Sequence, residues 1–361
     1  MVETNNSTNA FTEITYDKEA KSIVIPIGVT EIKDFEFSGF SVLESITIPN
    51  TVTKIWDYAF KDCRSLKNVI IPESVDTIGE FAFSGCKSLK NIIIPESITI
   101  IRESTFYMCE SLESITIPKS VKVIESMVFI GCQALQRICV DSDNQYYCSI
   151  DGVLFSKDRT SIILFPKKHP QVHYQIPFFV NKIEDGAFSF SNQKNIVIPN
   201  SVTYIGFDAF YHCESIQSIT IPDTVSEIKI GTFRGCTSLK EIVIPNSVTK
   251  IKRNAFYGCK SLQNIIIPKS VKEIEKSVFI GCTSLHSIHM LHKKPPKKLV
   301  IQTFDDFIFE NCTLYVPGNA QKKYRNHPVF GKFRYIEIES KLNRNILKKS
   351  WLCILKFLRS K

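Results

Sequence analysis

The chain has 361 residues, 43% of them hydrophobic, including 26 Phe, with a formal charge of +9; such a composition belongs to a folded protein with ample material for a core. The charge is local: residues 341–361 carry seven Lys and Arg with no acid and residues 293–298 carry four Lys, leaving −2 elsewhere. A nucleic-acid groove distributes its cations along the binding face, so no nucleic-acid partner is expected, and the absence of an 18-residue apolar run argues against a spanning helix.

Met1–Ala10 is polar and rich in Asn and Thr. It has neither the basic nor the apolar stretch of a secretory signal, so either the protein stays inside the cell or its export signal is missing from this chain. Phe11–Tyr16, a turn at Asp17-Lys18 and Ser22–Ile25 read as a capping hairpin, which assigns residues 1–25 to an N-terminal cap.

From residue 26 the chain repeats. Ile-Pro pairs end at Pro26, Pro49, Pro72, Pro95 and Pro118, and again at Pro199, Pro222, Pro245 and Pro268, with a step of 23 in each series. Cysteines keep that step at Cys63, Cys86, Cys109 and Cys132, then at Cys213, Cys236, Cys259 and Cys282. Val52, Ile55, Ala59, Phe60, Cys63, Leu66, Val69 and Ile71 mark the apolar positions of one unit. A single unit orders too much backbone for its few apolar side chains to offset, so stability belongs to the stacked array.

Leu66–Ile71 reads as a strand with Leu66, Val69 and Ile71 inward, and Pro72 ends it because it has no N–H for a ladder. Val75 and Ile78 suggest a second short extended segment, and Ala82-Phe83 a tight helical turn. Residues 26–141 and 177–316 form the two repeat blocks. Residues 118–132 closely match 268–282, so the blocks look like parts of a duplicated array. In the tail, 341–361, Leu347, Trp351, Ile354, Leu355 and Leu358 recur near helical spacing between cations. That pattern suits a membrane-surface helix, a partner-binding helix, or a segment docked on the end of the array.

With I-P-x-S-V-x-x-I-x-x-x-A-F-x-G-C-x-S-L-x-x-I-x-I-P as its unit, the chain resembles the BspA-like leucine-rich-repeat proteins over roughly residues 20–340. The resemblance implies a β-rich solenoid with a parallel concave sheet, short helical turns, a hairpin insertion over 142–176 (around Ser149–Asp158) and a small cap over 317–340 (around Leu314–Gly318, Tyr324, Phe333 and Ile336). It also implies a non-catalytic bacterial protein, on the cell surface or secreted, that adheres to host proteins or other cells. The missing signal and the periodic thiols leave an intracellular, cytoplasmic interaction scaffold as the alternative.

No cofactor is expected, and no catalytic signature occurs: there is no nucleophile elbow, phosphate loop or zinc-protease motif. The eight in-phase cysteines read as an inward ladder, its rungs about 4.8 Å apart, too far for disulfides. Cys139 and Cys148 are a possible bridge in an exported protein. His286, His289 and His292 have the ligand chemistry for zinc or copper, but a spacing of three in a strand alternates their faces, so they read as solvent-facing and non-ligating.

The candidate ligand surface is the outward face of the repeating strands. One column runs Val24, Thr47, Ile70, Ile93, Thr116, Cys139, then Val197, Thr220, Val243, Ile266, His289. Beside it run Ser22, Ser45, Asn68, Asn91, Ser114, Arg137, then Asn195, Ser218, Glu241, Asn264, Ser287. Thr47, Asn68, Ile70, Asn91, Ile93, Thr116, Arg137, Asn195, Thr220, Glu241, Asn264, Ile266 and His289 are its candidate contacts for a protein ligand. These residue types also suit any strand, so the pattern alone leaves both readings open.

Overall fold

A computed structural model describes residues 15–339. Each repeat supplies a short front strand before its Pro and a two-residue back strand after it. The front strands Ser22–Val24, Ser45–Thr47, Asn68–Ile70 and Asn91–Ile92 pair in parallel, rung on rung. Ser114–Ile117 and Arg137–Val140 pair likewise beyond them. The back strands Glu31–Ile32, Lys54–Ile55 and Thr77–Ile78 form a second parallel ladder. Alternation sets the faces: in Ser45–Thr47, Ile46 is buried while Ser45 and Thr47 are exposed.

Ser22–Val24, expected in a capping hairpin, instead pairs in parallel with the next repeat and starts the front ladder. Residues 11–14, expected to face it, lie outside the described residues, as does the basic tail 341–361.

The turns that close each coil are not helical. Each contains two left-handed residues four positions apart, such as Phe81 with Gly85, Ser104 with Met108, and Ser277 with Gly281. They interrupt the run of right-handed φ that a helix needs. The turn N–H groups reach across to the next repeat instead, as in Phe60 N to Ala82 O at 2.8 Å and Asp62 N to Ser84 O at 2.7 Å. Among the described residues, helices occur only between residues 301 and 332, in the cap region.

Phenylalanines stack along the turn side. Phe60 lies 5.2 Å from Phe83, and Phe83 6.0 Å from Phe106, with rings nearly parallel. Strands in a sheet step by about 4.8 Å. Equivalent points are therefore further apart on the turn side, and the front sheet lies on the inside of the curve. Beside each ring the ladder cysteine donates its S–H to a carbonyl one repeat back, as from Cys86 Sγ to Phe60 O at 3.2 Å and from Cys259 Sγ to Phe233 O at 3.1 Å.

The insertion breaks this regularity. Tyr147–Ile150, Val153–Ser156 and Ser161–Leu164 form an antiparallel meander, and its last strand pairs in parallel with Lys182–Ile183 to start the back ladder of the second block. Asn144 fastens it to the first block: its buried amide donates to Pro118 O and Val121 O, and its oxygen accepts from the N–H groups of Tyr146 and Tyr147. Two hydrophobic cores result, one reaching from Ile23 to Leu154 and the other from Val153 to Ile336.

At the far end, Thr313–Val316 and Tyr335–Ile338 continue the front ladder in parallel. Phe304, Phe309, Phe330 and Phe333 turn edge-on and tilted contacts toward one another, which ends the stack without leaving an open apolar ring.

Candidate binding surface

The two halves of the front face differ. In the first block Thr47, Asn68, Ile70, Asn91, Ile93, Thr116 and Arg137 are all exposed. Val24, Ile70 and Ile93 reach 69%, 78% and 73% exposure, so branched apolar side chains stand in solvent along one column. Ser22, Ser45, Asn68 and Asn91 flank them, uncharged, with Ser45 donating to Ser22 at 3.0 Å. In the second block Asn195, Thr220, Glu241 and Asn264 are only half exposed.

Two expected contact residues are not on the surface. Ile266 is 9% exposed and His289 4%. The His289 ring stacks on Tyr315 at 4.6 Å, and its Nδ1 lies 2.7 Å from a Glu339 carboxylate oxygen. Ile266 pairs with His289 on the adjoining rung of the same column. Tyr315 and Glu339 come from the cap region, so nothing in the repeat pattern announced them.

The other two histidines of the triplet part company. His286 is exposed, while half-buried His292 has its Nε2 2.6 Å from Val271 O. Burial holds the His292 pKa below the ordinary imidazole value. Among the described residues no group of three His, Cys, Asp or Glu side chains converges as a metal site. All cysteines among them are free, Cys139 and Cys148 included. Burial pushes the thiols of Cys63, Cys132 and Cys259 up to about 12, and those of Cys86, Cys109 and Cys282 well above the ordinary value. They are inert packing groups rather than nucleophiles.

A cavity of about 700 Å³ opens where the insertion interrupts the turn column, between Met127 on one side and Phe190, Phe207 and Tyr211 on the other. Asp208 borders it. Burial raises its carboxyl pKa, partly opposed by the Arg234 guanidinium. This hollow arises from a missing rung, which a repeat pattern does not reveal.

The BspA type leucine-rich-repeat family model matches residues 7–136 and 181–316 in six copies. The chain belongs to this family. Family and fold are those of repeat scaffolds that generally bind proteins and are generally not catalysts. No curated protein matches it. Among solved structures, a leucine-rich cell surface protein of Faecalibacterium prausnitzii is 33% identical at a TM-score of 0.66, covering 75% of this chain and 79% of its own. A leucine-rich-repeat protein of Eubacterium ventriosum is 25% identical at a TM-score of 0.71, covering 89% and 82%. The pneumococcal vaccine antigen PcpA is 25% identical at a TM-score of 0.64, covering 89% and 79%. The BspA-type repeat thus accounts for the period, the parallel sheets and the inward cysteine column.

Proposed function

We propose that this BspA-type protein is a non-catalytic adhesion or recognition protein, displayed on or secreted from a bacterial cell, that holds a protein ligand on its front face. The observation that carries the reading is the exposed apolar column of Val24, Ile70 and Ile93 between uncharged Ser and Asn side chains. An uncharged, β-branched column with the apolar pair Ile70 and Ile93 at its centre, on the inside of a solenoid curve, suits an extended protein surface, and a polyanion would find little to bind there. The cell-surface description of the Faecalibacterium relative supports the location. An exposed free thiol at Cys139, outside the ladder, favours a second reading, an intracellular interaction scaffold, because reducing compartments keep such thiols unpaired.

Photo-crosslinking residues placed at Ile70 and Ile93 test the surface, with Val123 of the back ladder as control, after exposing the protein to its source culture. Capture of the same protein from both front positions and not from Val123 supports the reading; equal capture at Val123, or none at the front, refutes it. Protease shaving of intact source cells, followed with an antibody to residues 142–176, separates the locations. Loss from intact cells puts the protein outside, whereas loss only after lysis puts it inside and favours the scaffold.

A further inference from the structure

The regular turns pair along the array by a fixed rule. Three N–H groups of each turn, at the two left-handed positions and at the Phe between them, donate to carbonyls of the turn that follows. Ser104, Phe106 and Met108 donate in this way to Ser126, Val128 and Ile130, at 3.1, 3.2 and 2.8 Å. In the second block Gly231, Phe233 and Gly235 donate to Arg253, Ala255 and Tyr257, at 3.0, 2.9 and 2.7 Å. At the joint between the blocks the rule fails. The N–H groups of Met127, Phe129 and Gly131 make no hydrogen bond among the described residues. On the facing turn the carbonyls of Asp185 and Ser189 accept none, and only Ala187 O is served, by Phe165 N at 2.7 Å.

These unpaired groups border one space. Met127, Phe129, Asp185 and Ser189 line the cavity of about 700 Å³, and Gly131 lines a narrow hollow beside it. Packed interiors leave few voids larger than a water, so an opening of this size is room for a ligand rather than a packing fault. Backbone groups facing partly apolar walls cost free energy while unpaired. Donors on one wall and acceptors on the other, in ladder register, are matched by another extended backbone, as when a peptide adds a strand to a sheet edge.

The walls specify side chains as well. Phe129 stacks on Phe106 at 5.8 Å and Phe165 on Phe188 at 4.8 Å, but no ring contact joins Phe129 to Phe165. Met127 and Phe207, both lining the cavity, are 46% and 41% exposed. Four carboxylates line the space against one guanidinium. Glu125 accepts from Glu103 N, Asp185 from Phe207 N, and Glu184 pairs with Lys182. The half-buried Asp208 carboxylate has no hydrogen bond or ion pair, and the Arg234 guanidinium lies 5.4 Å from the ring centres of Tyr211 and Tyr257 instead.

We propose that this cleft binds an extended segment of a partner protein, which enters as the missing rung of the turn ladder. Its carbonyls take the N–H groups of Met127, Phe129 and Gly131, a large apolar side chain fills the gap between the two phenylalanine runs, and a basic side chain meets Asp208. The site lies on the turn side, away from the front sheet, and stands whether or not the front face holds a ligand.

The probe is a capped synthetic peptide with the sequence of residues 252–260 and serine at the Cys259 position. It carries Phe256 and three cations, and in the array its Arg253, Ala255 and Tyr257 carbonyls already take three turn N–H groups. Amide hydrogen exchange is followed by NMR on the full chain. Without peptide the amides of Met127, Phe129 and Gly131 should exchange freely, while those of Ser104, Phe106 and Met108 are protected. Peptide should bind with a Kd below about 1 mM and slow the first three at least about fivefold, leaving Ile70 and Ile93 unchanged. Asp208→Asn, which keeps a residue tolerant of left-handed φ, should weaken binding at least about threefold while cooperative unfolding persists. Alanine at the Phe256 position of the peptide should weaken it too. No saturable binding, binding that leaves the three amides unchanged, or equal affinity in Asp208→Asn would overturn the proposal. So would protection of the three amides before peptide is added: independent of protein concentration, it would make the occupant this chain itself, and present only at high concentration, a second copy.

Discussion

The cysteine column makes a prediction that can be worked through in numbers. At pH 8 an ordinary thiol, with a pKa of about 8.5, is about one-quarter thiolate. Cys63, Cys132 and Cys259, with values pushed up to about 12 by burial, are thiolate in about one molecule in ten thousand. Even a reagent already in place would react some three orders of magnitude more slowly, and these side chains are buried. Labelling must therefore wait for local opening, which restores an ordinary thiol, and every 1.4 kcal/mol of opening free energy slows it about tenfold relative to an exposed cysteine. The assay is timed N-ethylmaleimide labelling at pH 8 with each cysteine followed by peptide mass spectrometry. Exposed Cys139 should saturate while the three ladder thiols remain below about one per cent. Reaction of any of them within about tenfold of the Cys139 rate would refute the buried-ladder argument.

Three further outcomes are expected. Phe83→Ala removes a fully buried ring between Phe60 and Phe106 and should cost about 3–5 kcal/mol in urea unfolding. Asn144→Ala leaves two carbonyls and two N–H groups without their buried partner and should cost about 2–4 kcal/mol, with proteolysis of the insertion rising in parallel. His292 titrates lower in the folded state than in the unfolded chain, so its contribution to stability is present above about pH 6.5 and is lost as pH falls through its depressed folded value. The urea midpoint should decline on acidification over that window, and less steeply in His292→Gln.

The array was legible because its physics is periodic. Ile-Pro pairs and Cys at steps of 23 dictate which side chains share a column, and the observed register pairs Ile23 with Ile46 and Ile46 with Val69 accordingly. The turn conformation was less legible. Ala82-Phe83 suits a helix locally, but inter-repeat hydrogen bonds such as Phe83 N to Thr105 O at 3.0 Å outcompete one. Neighbours in a stack, unlike neighbours in sequence, leave no local signal. On the front face, the first-block positions are exposed because only the repeat pattern acts there. His289 is not, because Glu339, 50 residues away, closes over it. The cavity beside Met127 was invisible for a related reason: it is made by what the insertion leaves out of the turn column.

The interruption of the phenylalanine stack has a mechanical consequence. Rings follow one another from Phe37 to Phe129 and again from Phe165 to Phe304. Between them the array is joined by the meander and the Asn144 hydrogen bonds rather than by a shared ring column. Within each run, opening one repeat strips its neighbours of packing, so each run yields as a unit. Under a load applied between the two ends, the molecule behaves as two stiff springs in series with one softer joint. It should lengthen in two large steps rather than one repeat at a time, with the exposed front face of the first block and the half-exposed face of the second lost in separate events.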